Sequence, residues 1–170
     1  MKNAYLLAPV IFIFFHCRPM VHSTTPLEVI ENYTRFNGVA PSLLTERENV
    51  HMVFASGDSI FYCLSVDAGN RFYKPLLVDK LAKLSIGGGR GPQIVSSNGQ
   101  LIIVAVDQAG NIFTFIKKKK TNSWERGKKI NDVPDIAKEG FVSLASNDKV
   151  DVYAVWLDLR DDNEQSGGSE

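Results

Sequence analysis

The sequence has few of the residues from which most catalytic and metal centres are built. Its 170 residues include only two cysteines and three histidines. If an N-terminal signal is removed, one cysteine, Cys63, and one histidine, His51, remain. A disulfide within the chain, a Cys/His or Ser/His/Asp catalytic centre and a His-rich zinc site are therefore poorly supported, and we predict no metal and no other cofactor.

The chain also has no excess of charge of either sign. It contains 19 basic and 19 acidic residues, so its formal net charge is zero. This balance gives no support for binding to nucleic acid or to a membrane surface. The one basic run, residues 117–120, has no interleaved aromatic residues, and we interpret it as the solvated end of a hairpin.

A long hydrophobic run is present only near the N-terminus. Residues 4–15, AYLLAPVIFIFF, are too few to span a bilayer and are typical of the core of a secretory signal. We predict that residues 1–23 are a signal peptide, and lipidation of Cys17 is the alternative. Either route predicts a secreted, periplasmic or cell-surface protein without a membrane span. Residues 24–39 are expected to be an extended N-terminal segment, and residues 164–170 a polar tail.

The rest of the chain predicts strands and no long amphipathic helix. Short runs rich in Val, Ile, Phe and Tyr alternate with turns rich in Gly, Asn, Asp and Ser. The predicted strands are residues 49–55, 59–66, 100–106, 111–117 and 149–157. The run LIIVAV is apolar throughout, which predicts a strand buried on both faces between stacked sheets.

A repeat organises these strands. Asn49, Asn98 and Asn147 lie 49 residues apart, each in a polar turn between two strand-like runs. A period near 50 residues made of four strands indicates a β-propeller blade. We therefore expect an all-β fold, a partial β-propeller of about two and a half four-stranded blades, over residues 40–163. Since a closed propeller has about four to eight blades, we expect either a truncated part of a larger ring or self-assembly that closes it.

The segment SVDAGNRF, which begins at Ser65, resembles the Asp-box of the sialidase (BNR-repeat) superfamily. The pattern of that motif is Ser-x-Asp-x-Gly-x-Thr-Trp. Ser65, Asp67 and Gly69 match it, Arg71 replaces the Thr, and Phe72 replaces the Trp with another aromatic residue. GRGPQI, KINDVPDIAKEGFVSLAS and VYAVWLDLRDDN are also similar to successive blades of secreted bacterial sialidase-like proteins. In this superfamily the Asp-box is structural: Asp67 is expected to accept backbone N–H bonds, Gly69 to have a positive φ and Phe72 to pack between neighbouring sheets.

The resemblance implies a protein that recognises glycans, and in full-length form an exo-α-sialidase. Sialidases bind the substrate carboxylate with three arginines, and they use a Tyr nucleophile assisted by a Glu, with an Asp as acid/base. The Phe/Tyr-Arg-Ile-Pro motif that places the first arginine in active sialidases is absent. The alternative is therefore a non-catalytic propeller that serves as a binding or scaffold module, or an inactive gene fragment.

Blade topology predicts where a site would lie. Because successive strands alternate in direction, the second–third turns and the connections between blades lie opposite the Asp-box. Candidate substrate-binding residues on that face are Arg90, which follows three glycines, and Arg160. Candidate catalytic residues are Glu139 and Asp158. The other acidic residues expected on this face are Asp58, Asp107, Asp161 and Asp162.

Overall fold

The computed structural model describes residues 36–119, 121–147 and 150–160. These residues form ten β-strands and no helix. The strands are β1 (Val39–Glu46), β2 (Asn49–Ser56), β3 (Ser59–Ser65), β4 (Leu76–Lys80), β5 (Gln93–Ser97), β6 (Gln100–Val106), β7 (Ile112–Lys117), β8 (Trp124–Lys129), β9 (Val142–Ser146) and β10 (Val152–Trp156). The predicted signal peptide with Cys17, most of the segment 24–39, Asp161, Asp162 and the tail 164–170 lie outside the described residues.

The ten strands pair antiparallel, in chain order, to form three sheets. The first sheet has the order β1-β2-β3-β4 and the second β5-β6-β7-β8, whereas the third contains β9 and β10. The all-β prediction is confirmed. Each of the five predicted strands is present, as β2, β3, β6, β7 and β10. The described strands do not close a ring.

The first two strands of each sheet form a hairpin, but the asparagine repeat aligns only two of the three hairpins. Asn98 and Asn147 each directly follow the first strand of their hairpin, and Asn98 has a φ of 48°. In the first sheet the equivalent residue is Arg47, whose φ is 56°, because Asn49 is already the first residue of β2. Asparagine adopts this left-handed conformation more readily than most residues, so it is frequent there but not required.

The main core lies between the first and second sheets. Val53 and Tyr62 of the first sheet pack with Ile103 and Phe115 of the second, and all four are at most 1% exposed. Within a strand the buried residues of this core are two apart, as are Val53 and Ala55 on β2 and Ile60 and Tyr62 on β3, because alternate residues lie on one face of a strand. Burial of these apolar surfaces is the principal force that holds the two sheets together.

A second core joins the second sheet to the third. Val104 and Val106 alternate along β6 with Ile103, and they pack with Val142 and Trp156 of the third sheet. Strand β6 is therefore buried on both faces, as its uninterrupted apolar sequence predicts.

The outer face of the first sheet is covered by aromatic rings. Met52 and Phe54 lie under Phe36 and Phe72, and the ring centroids of Phe36 and Phe72 are 5.8 Å apart with nearly perpendicular planes. Phe72 thus packs on the outside of its own sheet, and among the described residues no neighbouring sheet covers it. The sequence analysis placed Phe72 between neighbouring sheets. Its position differs because β1 to β4 form the first described sheet of the stack and have a described partner sheet on one side only.

No other part of the chain that the structure describes covers the outer face of the third sheet. Tyr153 and Val155 point away from the second core and are 56% and 66% exposed. The first strands of the three sheets are neighbours, since β1 contacts β5 and β5 contacts β9. The sheets therefore stack face to face, with corresponding strands on the same side of the stack.

Candidate functional site

The turn after β3 is closed by two polar side chains. The hydroxyl of the buried residue Ser65 donates to Asp67 Oδ1 (2.8 Å) and accepts from the N–H of Gly69 (2.9 Å). Asp67 in turn accepts from the backbone N–H of Arg71 (2.9 Å) and from its Nε–H (2.8 Å). These bonds from Arg71 and Ser65 lower the pKa of the Asp67 carboxyl to about 2. Gly69 has a φ of 88°.

The same turn is tied to the first hairpin. The N–H of Ala68 donates to the carbonyl of Glu48 in the β1–β2 turn (2.9 Å), and that of Tyr73 donates to Leu64 (2.8 Å). The first–second and third–fourth turns of this sheet therefore lie at the same end. The side-chain hydrogen bonds of Ser65 and Asp67 stay within this end of the sheet.

At the opposite end, turns and connections between sheets meet. The carbonyl of Asp58, in the β2–β3 turn, accepts from the N–H of Leu81 (2.8 Å), and its carboxylate accepts from that of Leu84 (3.3 Å). Asp107, in the β6–β7 turn, forms a β-bridge with Leu84, and its carboxylate accepts from the N–H of Asn111 (2.8 Å). Both acidic residues thus organise the backbone around them.

Arg90 lies at this end and contacts two residues of the connection before β9. Its Nε–H donates to the carbonyl of Glu139 (2.5 Å), and its Nη2 is 3.6 Å from the Glu139 carboxylate. Its guanidinium also lies over the ring of Phe141, 5.3 Å from the centroid. Between these two residues, Gly140 has a φ of 68°, and a Cβ there would collide with Ser85. Glycine permits the approach that brings Arg90 to this segment.

Arg160 forms the second arginine–carboxylate pair. Its Nε and Nη2 donate to the two oxygens of Asp158 (2.8 and 2.7 Å), and Nη2 also donates to Asp132 (3.0 Å). The hydrogen bonds from Arg160 lower the pKa of Asp158 to about 2 and lower that of Asp132. A carboxyl group with this pKa is ionised at neutral pH, which disfavours a role as general acid.

The four candidate residues form two ion pairs, Arg90 with Glu139 and Arg160 with Asp158. Both arginines contact the connection between β8 and β9. Asp132, at the start of the β8–β9 connection, pairs with Arg160, and Glu139, at its end, pairs with Arg90. No hydrogen bond or ion pair among the described residues joins one pair to the other.

A shallow apolar groove begins beside Arg90. The groove lies at the end of the third sheet where β9 begins and β10 ends, and its lining is Phe141, Val142, Ser143, Val155, Trp156 and Leu157. The ring of Phe141 belongs both to this groove and to the contact with the Arg90 guanidinium. The groove therefore has an apolar floor and a cation at one edge.

Sequence reasoning did not single out a buried polar cluster between the first two sheets. His51 Nδ1 is 2.8 Å from the Tyr62 hydroxyl, and His51 Nε2 is 3.4 Å from the Glu46 carboxylate. Lys117 Nζ is 3.5 Å from the same hydroxyl and 4.5 Å from the centre of the Tyr62 ring. The expectation that the lysine run is solvated is wrong for Lys117, which is partly buried. The sequence does contain a signal for this cluster. His51 precedes Val53 by two residues on the same strand, so its side chain is on the face that enters the core.

The described residues offer little other chemistry. They contain no group of three or more His, Cys, Asp or Glu residues that could hold a metal ion. Cys63 is buried, and burial raises the pKa of its thiol to about 12, so the reactive thiolate is not formed at neutral pH. Within the same ranges of the chain, no helix is long and apolar enough to cross a membrane.

None of the family models, curated proteins or solved structures compared with this chain matches it. The function must therefore be argued from the residues and contacts of the chain itself.

Proposed function

We propose that this chain is a non-catalytic, propeller-type module that acts outside the cytoplasm and recognises glycans, with Arg90 and Phe141 in contact with the ligand. The observation that carries the non-catalytic part is the pairing of Arg90 with Glu139 and of Arg160 with Asp158. A sialidase site needs a carboxyl group that exchanges protons and several arginines that converge on one substrate carboxylate. Here the candidate acid Asp158 is held ionised by Arg160, and Arg90 and Arg160 belong to separate ion pairs.

The stacking of the sheets supports the propeller part of the proposal. Two sheets have four strands and one has two, and the first strands β1, β5 and β9 are neighbours. Blades of a propeller pack in this face-to-face manner around an axis. The open outer face of the third sheet, with Tyr153 and Val155 exposed, is where a further blade would pack.

The chemistry at Arg90 supports a sugar that carries a carboxylate. The Arg90 side chain is 37% exposed. Its Nε donates to the Glu139 carbonyl and its Nη2 lies 3.6 Å from the Glu139 carboxylate, so Nη1 is the nitrogen that would donate to an incoming carboxylate. Phe141 is also 37% exposed and presents an aromatic surface to the apolar side of a sugar ring. A sialic acid has both features.

Calorimetric titration with sialyllactose, and with lactose as the neutral comparison, tests the proposal. We expect the wild-type chain to bind sialyllactose and Arg90→Ala to weaken binding by about tenfold, because a charge-assisted bond contributes roughly 1.5–3 kcal/mol. Arg126→Ala is the matched control, since Arg126 is 41% exposed, pairs with Asp79 and lies over Phe113. Circular dichroism verifies that both variants are folded.

Three results would contradict the proposal in different ways. Equal affinity for sialyllactose and lactose would remove the recognition of a carboxylate by Arg90. No binding to either sugar would remove glycan recognition and leave the scaffold alternative. Turnover of a fluorogenic sialoside that disappears in Asp158→Asn would instead restore the exo-α-sialidase alternative.

A further inference from the structure

The buried cluster crosses the junction between the first two sheets. His51 lies on β2 and Tyr62 on β3, whereas Lys117 is the last residue of β7 in the second sheet. His51 is 5% exposed and Tyr62 is 1% exposed. The ring of Trp124, the first residue of β8, lies 5.2 Å from that of Tyr62. Polar atoms of both sheets thus converge on one hydroxyl in the main core.

The hydrogen-bond directions in this cluster depend on the charge of His51. The Lys117 ammonium can only donate, so the Tyr62 oxygen accepts from it, and the Tyr62 O–H is free to donate to His51 Nδ1. Neutral His51 meets this requirement when its proton is on Nε2, the nitrogen that faces Glu46. In this state the Tyr62 hydroxyl has both a donor and an acceptor as partners.

Protonation of His51 breaks the arrangement. Nδ1 becomes a donor, so the Tyr62 O–H loses its acceptor inside the core. Two cations, the imidazolium and the Lys117 ammonium, then face one hydroxyl in an environment of low dielectric constant. A buried donor without a partner and two like charges both oppose contact between the sheets.

We propose that Glu46, His51, Tyr62 and Lys117 form a pH-responsive junction, which holds the first two sheets together when His51 is neutral and loosens when His51 is protonated. The groups that face His51 come from each neighbouring strand: Glu46 from β1, Tyr62 from β3 and Lys117 from β7. Trp124, from β8, is uncharged and packs against Tyr62.

The electrostatic environment of His51 agrees with this geometry. Burial lowers the pKa of His51 from its ordinary value of 6.5, Glu46 opposes the change, and Lys117 adds to it. Below pH 6.5 the unfolded chain therefore binds a proton that the folded chain does not bind. Stability falls as the pH falls from 6.5 through the lower pKa of the folded state.

An NMR titration of the His51 imidazole in the full chain, assigned with His51→Gln, tests the cluster itself. We expect a midpoint below 6.5 in the wild type. Removal of the cation in Lys117→Met should raise the midpoint, and removal of the anion in Glu46→Gln should lower it. Lys118→Met is the matched control, because Lys118 pairs with Glu125 and should leave the midpoint unchanged. If Lys117→Met does not fold, Lys117→Gln serves in its place.

Tryptophan fluorescence tests whether the junction loosens. The chain has two tryptophans, so Trp156→Phe leaves Trp124 as the only reporter, beside Tyr62. We expect its emission to shift reversibly to longer wavelength on acidification, with the NMR midpoint of His51, and we expect His51→Gln to abolish the shift. Any of three results would overturn the proposal. The first is a His51 midpoint at or above 6.5, and the second is the absence of opposite shifts in the two charge variants. The third is Trp124 emission that does not change as His51 titrates.

Discussion

The Nε–H of Arg90 donates to the carbonyl oxygen of Glu139, and this bond joins the loop before β5 to the connection before β9. Arg160 holds the other end of the same connection through Asp132. Two arginines from distant parts of the sequence thus fix the path of the chain between the second and third sheets. This placement explains why their charges are paired within the protein.

Arg90→Ala should lower the free energy of unfolding by about 1 kcal/mol, because it removes a charge-assisted hydrogen bond from a side chain that is partly exposed to solvent. Urea denaturation monitored by circular dichroism measures the change. Lys128→Ala, an exposed substitution on β8, is the control and should be neutral within about 0.5 kcal/mol. Equal stability of the two variants would show that the Arg90–Glu139 contact contributes nothing to the free energy of unfolding.

Ser65→Ala should destabilise the chain by about 1–3 kcal/mol. The hydroxyl is fully buried, and its loss leaves the N–H of Gly69 without its hydrogen-bond acceptor. Thermal unfolding followed by circular dichroism provides the measurement, with the exposed Ser56→Ala as control. A melting temperature unchanged in Ser65→Ala would mean that water replaces the hydroxyl, contrary to the burial of this turn.

Protonation of Asp67 and Asp158 should lower the stability of the fold. This loss should occur at lower pH than the loss caused by protonation of His51. The folded-state pKa of each carboxyl is about 2, below the ordinary value of 3.8. A depressed pKa contributes stability that is present above 3.8 and is lost as the pH falls towards 2. Melting temperatures measured from pH 5 to pH 2 should fall less steeply in Asp67→Asn and Asp158→Asn than in the wild type. Equally steep curves would contradict the observed pairing.

Phe115→Ala should cost about 3–5 kcal/mol, a large part of the stability of a typical domain. Phe115 is 0% exposed and lies between the first two sheets, whereas its neighbour Ile116 is 40% exposed on the same strand. Ile116→Ala is therefore the control and should cost much less. Chemical denaturation of both variants checks the expectation, and similar losses would mean that the first two sheets do not pack as described.

The strands could be predicted from the sequence because their signal is local. An apolar run such as LIIVAV predicts a strand with two buried faces from six adjacent residues, and β6 has both. The hairpin repeat is similarly visible, because turns select residues that tolerate a positive φ. That tolerance is shared by several residue types, and so Arg47 occupies the first turn where an asparagine was expected.

The contacts at the candidate sites were decided by the tertiary structure. Nothing local to Arg90 indicates Glu139 as its partner, and nothing local to Lys117 indicates Tyr62. These pairs form because stacked sheets bring together connections and strand ends that are far apart in the chain. Strand propensity and polar turns follow from neighbouring residues, whereas the partner of a charged side chain depends on the packing of whole sheets. Local sequence is therefore sufficient for the all-β class and for five of the ten described strands, whereas the pairing of the charges follows only from the packing of the sheets.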